Sequence, residues 1–151
     1  ILVADARHRH LGESIRLDLG RPVPDGSDWS VEFTLPEGVP ERSEYWLSID
    51  VVDLEPSGPG TPLASPFLKE LRAGQLLTTV ELNKQPAGDL NRWINHRAPA
   101  SRPAAIRFQL PAHVVKSGSN SLTISQILLK ESGSTDSCEL SNLRIEVVTP
   151  R

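Results

Sequence analysis

Apolar and polar residues alternate along much of this chain with the period of two that marks a half-buried strand. Ile15, Leu17 and Leu19 alternate with Arg16 and Asp18 until Gly20. Trp29, Val31, Phe33 and Leu35 share one face opposite Ser30, Glu32 and Thr34, and Pro36 stops the run. Tyr45, Leu47, Ile49 and Val51 form a third apolar face. Trp46, Ser48 and Asp50 point the opposite way, with Val52 and Leu54 following on their side, which predicts a strand partly covered on both faces. Val80 and Leu82 begin a further run, and Asn83-Lys84-Gln85-Pro86 is expected to turn the chain before Ala87-Gly88-Asp89-Leu90 starts back. Ile106, Phe108 and Leu110 alternate next. Leu122 and Ile124 lead a strand into Gln126-Ile127-Leu128-Leu129. Leu143, Ile145 and Val147 form the last run, with Arg144 and Glu146 outward.

Helix has little room. Thirteen prolines and ten glycines break the chain every few residues. The segment PFLKELRAG could hold one or two helical turns, with Phe67, Leu68 and Leu71 as its apolar edge and Gly74 as its stop. Pro111 to Val115 reads as another short turn. Residues 55–66 and 131–137 read as polar loops, with Cys138 in the second. About eight short strands with long loops predict an all-β fold, a jelly-roll β-sandwich of two antiparallel sheets.

Length and composition narrow the class. One domain spanning 1–151 is expected, large enough for a real core. An apolar fraction of 38% and a charged fraction of 23% fit a folded chain. The net charge of −3, with dispersed arginines, argues against nucleic acid as a partner. No apolar run approaches the ~20 residues that span a bilayer, so no membrane partner is expected. The single Cys138 excludes an internal disulfide and a cysteine-built zinc site. Ile1 at the start and the absence of Met suggest a processed product or a domain cut from a larger protein.

Two stretches then resemble a family. VELNKQPAGDL is similar to the strand-turn-strand V-x-L-N-G-x-x-V-G of galactose-binding-like jelly rolls. LPAHVVKSGSNSLTI is similar to their L-x-x-G-x-N-x-L-x-I segment, and ELSNLRIEVV to their final strand. Gly118 would end the turn at a positive φ, and Asn120 would hydrogen-bond local backbone where the chain enters the strand. The chain departs from the pattern at Lys84, where the family often has Gly, so a turn of another type is expected there. The resemblance covers the last half of the chain. It implies a carbohydrate-binding or accessory module of a glycoside hydrolase or polysaccharide lyase. A polysaccharide or glycan would be its ligand, a catalytic domain of the same polypeptide its partner, and an extracellular or secreted location its setting. It also implies a structural Ca2+, for which Asp5, Glu13, Asp18 and Glu139 are the available carboxylates. No other cofactor is expected.

The densest chemistry lies in NRWINHR. Trp93 stands among Arg92, Asn95, His96 and Arg97. An indole face packs against sugar C–H groups while donors and acceptors meet the hydroxyls. Arg92 and Arg97 could instead grip a carboxylate of an acidic polysaccharide. The bland alternative is that Trp93 plugs the end of the sandwich. Trp46 is a second ligand-binding candidate beside Ser48 and Asp50, although a second core layer is the simpler reading because Val52 shares its side. Trp29 reads as core. His8 and His10 form an H-x-H pair that a strand would place on one face, but two ligands do not make a metal site.

Catalytic signals are lacking: there is no G-x-S-x-G, H-E-x-x-H or P-loop. Asp50 and Asp53 lie three apart and would face opposite sides of a regular strand. The reading is therefore a non-catalytic glycan-binding module. A structural or protein-interaction sandwich is the first alternative, and a small glycan-active hydrolase or lyase with fold-assembled carboxylates is the second.

Overall fold

Two antiparallel sheets carry the alternating runs, in a computed structural model that describes residues 1–12, 25–62, 66–127 and 135–151. Among the described residues the strands are β1 (Val3–Asp5), β2 (Arg9–Leu11), β3 (Asp28–Leu35), β4 (Glu44–Val52), β5 (Thr78–Leu82), β6 (Gln85–Asp89), β7 (Ala104–Leu110), β8 (Gly118–Gln126) and β9 (Cys138–Val148). The first sheet has the order β1-β9-β4-β7, with β2 also pairing β9. The second has the order β3-β8-β5-β6. The expected run at 15–19, the end of the run at Leu128-Leu129 and residues 131–134 lie outside the described residues.

The inward faces are those that the alternation marks. Trp29, Val31 and Phe33 of β3, Tyr45, Leu47, Ile49 and Val51 of β4, and Ile106, Phe108 and Leu110 of β7 are buried in one cluster with Val80, Leu82, Leu122 and Ile124. Each such side chain contributes roughly 1.5–3 kcal/mol on leaving water. This is an all-β sandwich, as the pattern predicts.

Several local readings change. Cys138 is not a loop residue: it opens β9 and is fully buried. Apolar desolvation pushes its thiol pKa well up, with Asp136 adding to the effect. The alternation marks β9 only from Leu143 onward, although the resemblance of ELSNLRIEVV reaches back to Glu139, because a bulge shifts its phase. Ser48 faces Arg144 whereas Asp50 faces Ser141, so β9 holds one extra residue, and Asn142 takes φ 52°. The inward set thus changes from Cys138 and Leu140 to Leu143 and Ile145. β8 stops at Gln126, and Ile127 is exposed. The helix α1 (Leu68–Arg72) buries Leu68 and Leu71, while Phe67 caps it from outside, exposed.

The β5–β6 turn is tighter than expected. Leu82 pairs with Gln85, leaving only Asn83 and Lys84 in the loop, with φ of 51° and 64°. Positive φ at both residues is type I′ geometry, the turn that Asn-Gly favours, so the other turn type expected at Lys84 is corrected: Lys84 takes the glycine's conformation. Asn83 is held there because its amide donates to Val114 O and Asn120 Oδ1, and its Oδ1 accepts from Ser121 N. Asn120 accepts from Lys116 N and donates to the carbonyls of Lys116 and Gly118, and Gly118 has φ 79°. Both readings of those two residues hold.

Candidate functional site

The loop from Leu90 to Ala98 sits where β6 leaves the second sheet and the chain crosses to β7. A 3-10 turn over Asn91–Trp93 begins it. Leu90 and Ile94 are buried and anchor it on either side of the turn. Arg92 and Trp93 face out between those anchors, and Asn95, His96 and Arg97 face out between Ile94 and the buried Ala98. Five of the proposed ligand-binding residues are therefore displayed on one loop.

Trp93 is 50% exposed. Its ring stacks on Phe108 of β7 with centroids 5.4 Å apart and planes 6° from parallel. Phe108 is buried, so one indole face rests on the core while the other side of the residue meets solvent. Trp93 neither fills the interior nor hangs free.

The polar neighbours are held in place. Arg92 Nε lies 3.3 Å from Asp89 Oδ2, and Asp89 Oδ1 accepts from the Arg92 backbone N–H. Arg97 Nε lies 3.4 Å from Asp53 Oδ1 and its Nη1 lies 3.2 Å from Glu55 Oε1. His96 Nδ1 and Asn95 Oδ1 are 3.0 Å apart. Burial pushes the Glu55 carboxyl pKa up, opposed by Arg97 and reinforced by Asp53.

Beneath the loop lies a network that sequence reasoning missed. The Asn91 side chain is fully buried. Its Oδ1 accepts from Thr78 N at 2.8 Å, and its Nδ2 donates to Glu55 O at 2.9 Å and Asp136 Oδ2 at 2.7 Å. Asp136 also accepts from Glu55 N, at 3.1 Å to Oδ2. One asparagine thus ties the start of β5, the 53–58 segment and the approach to β9. Desolvation raises the Asp136 pKa to about 7, although Asn91 and the Glu55 N–H hold it lower than burial alone would. At 4% exposure, with its oxygens engaged by Asn91 and Glu55, Asp136 is a strut rather than an acid facing a substrate.

Gly58 completes the support. A Cβ there would sit 2.6 Å from Ile94 O and 2.8 Å from Arg92 O, so only glycine lets the 55–62 segment pass this close. The Gly58 N–H donates to Ile94 O at 2.8 Å and the Ser57 N–H to Asn91 O at 3.0 Å. The Pro/Gly/Ser composition announces a loop there, but a glycine's tight neighbour has no local signal.

Trp46 belongs to another surface. It points out of the first sheet, opposite Gln109 and Glu146 in register, and is half-buried. The Arg107 guanidinium lies 4.0 Å over its ring, and its Nε1 donates to Glu44. The second core layer expected for Trp46 is therefore corrected: a side-chain pair covers it, not a packed layer. Val52, which ends the strand, is nonetheless buried, and Asp53 then turns away at φ 61°. Asp50 receives a hydrogen bond from Asn142, and Asp53 meets Arg97, so these two acids do not pair.

The metal candidates do not assemble. His8 precedes β2 and is exposed, whereas His10 is fully buried, so they share no accessible face. Of the carboxylates weighed for Ca2+, Glu13 and Asp18 lie outside the described residues. Arg7 grips Asp5 through Nε and Nη2, and Glu139 is buried in β9. Among the described residues no three His, Cys, Asp or Glu side chains converge on a common point.

No protein-family model matches the chain, and no curated protein matches it. Among solved structures it is similar to a family 35 carbohydrate binding module from an environmental isolate. The identity is 10%, 99% of this chain and 93% of that chain are covered, and the TM-score is 0.45. Superposition at that level gives no residue of this chain a role.

Proposed function

We propose that this chain is a non-catalytic glycan-binding module whose ligand meets the Trp93 loop. One observation carries the reading: a half-exposed indole is held flat against a buried ring and framed by fixed hydrogen-bonding groups. A sugar presents a C–H face and a rim of hydroxyls, and this surface offers the complement of both. The platform is rigid before binding, so little ordering entropy opposes association. Asn95, His96 and the outer edges of Arg92 and Arg97 supply the polar rim. Service to a catalytic domain of the same polypeptide, in an extracellular setting, belongs to the same proposal.

Affinity electrophoresis through polysaccharide-containing gels tests it. Trp93→Ala is expected to abolish retention while lowering stability by only about 0.5–1.5 kcal/mol, the value of a stacked pair. A folded Trp93→Ala chain retained as strongly as the parent would remove this loop from the site. Trp46, on the outer sheet face, is then the surface to test.

A further inference from the structure

Phe108 belongs to two surfaces at once. Its ring backs Trp93, and its Cε2 lies 3.6 Å from where a Cβ on Gly88 would stand. Gly88 takes φ 132°, a backbone conformation that side chains rarely adopt, where β6 passes that ring. β6 and β7 are the outer strands of their sheets. Beyond the Phe108–Gly88 contact an open groove of about 370 Å3 lies between them, lined by Pro86, Ala87, Gln109, Leu110, Pro111 and Ala112. Phe108 thus touches Trp93 and is flanked in sequence by Gln109, while Gly88 is flanked by Ala87, so the indole and the groove share one edge of the sandwich.

The charges decide what could lie there. No charged residue lines the groove, and Gln109, the polar residue of its lining, turns its side chain to the outer face of the first sheet with Trp46. On the Trp93 loop, two guanidiniums already face three carboxylates: Arg92 is set on Asp89, and Arg97 on Asp53 and Glu55. A uronate needs a guanidinium fork turned toward it. Here an added carboxylate would enter beside Asp53 and Glu55, where like charge opposes it.

We infer that the ligand is an uncharged glycan chain bound along its length, with one sugar on Trp93 and the following units in the β6–β7 groove. The inference rests on the glycan reading of the Trp93 loop, and goes beyond it in naming the ligand's charge and path. A trough recognises internal stretches of a chain, so affinity should grow with the number of sugars that reach it.

The experiment uses the whole chain and two blocking variants, Ala112→Trp and Pro86→Trp. Both residues are exposed, so both variants are expected to fold, and their melting curves check this. Gels containing mannan, xylan, galactan, β-glucan or polygalacturonate measure retention, and calorimetry with oligosaccharides of the best neutral glycan measures length dependence. Expected is retention by a neutral polysaccharide above polygalacturonate, with a tetrasaccharide bound about fivefold or more tighter than the disaccharide. In either blocking variant that gain should vanish. Polygalacturonate retention equal to or above every neutral glycan overturns the inference. So does equal affinity for the two oligosaccharides, or a gain that survives both blocks. These results leave the Trp93→Ala loss standing. A chain retained by none of the polysaccharides, or one indifferent to Trp93→Ala, overturns the proposed function as well.

Discussion

Phe108 is where core and candidate site meet. Its ring is 3% exposed within the main apolar cluster, yet it also sets the plane of Trp93. Phe108→Ala is expected to cost about 3–5 kcal/mol in urea unfolding, as a buried aromatic truncation does. It should also weaken polysaccharide retention, because the indole loses its backing. The contrast with Trp93→Ala separates the two halves of the stack: loss of the inner ring harms stability first, loss of the outer ring harms binding first. A stability loss well under about 1 kcal/mol for Phe108→Ala would mean that this face of β7 is not core.

At the scale of elements, one turn is strained by its backbone conformation and one segment is limited by the room beside it. Lys84 occupies the left-handed region at φ 64° in the β5–β6 turn. Its side chain is exposed, so Lys84→Gly should relieve strain without loss of packing. The expected gain is about 0.5–1 kcal/mol, read from the urea midpoint. Gly58 behaves oppositely. Gly58→Ala would drive a methyl into the carbonyls of Ile94 and Arg92, and rigid backbone cannot swing aside. A destabilisation of about 1–3 kcal/mol is expected, together with weakened polysaccharide retention, since the displaced carbonyls belong to the Trp93 loop.

The whole molecule should respond to pH through Asp136. Burial raises its folded pKa from the ordinary 3.8 to about 7. Between those values the unfolded chain has lost this proton while the folded chain retains it. Stability from this group is therefore full below the unfolded pKa, falls as pH rises through the window, and levels off above about 7. Glu55, also raised by burial, acts in the same direction. Urea midpoints across this window should fall more gently for Asp136→Asn than for the parent, because the variant has no proton to lose there. Asn retains an oxygen that can accept from Asn91 Nδ2 and Glu55 N, so the network itself should survive. Identical slopes for both chains would show that Asp136 titrates normally.

Alternation along the sequence determined the sandwich. Trp29, Leu47, Phe108 and Ile124 are inward because a period of two leaves one face of a strand apolar, and water sorts the faces without distant information. The short turn at Pro111 to Val115, Gly118 and Asn120 were legible for the same reason, since their partners lie within a few residues. The exposed Trp93 cluster was legible as composition. Only the tertiary structure decided what the cluster is. The stack on Phe108, the pairing of Arg92 and Arg97 with acids, the Asn91–Asp136 strut and the fit of Gly58 join residues far apart in the chain. The bulge in β9 and the cover over Trp46 likewise depend on the neighbouring strand. Local pattern reports which side of a strand meets water; which groups meet each other depends on how the sheets are laid together.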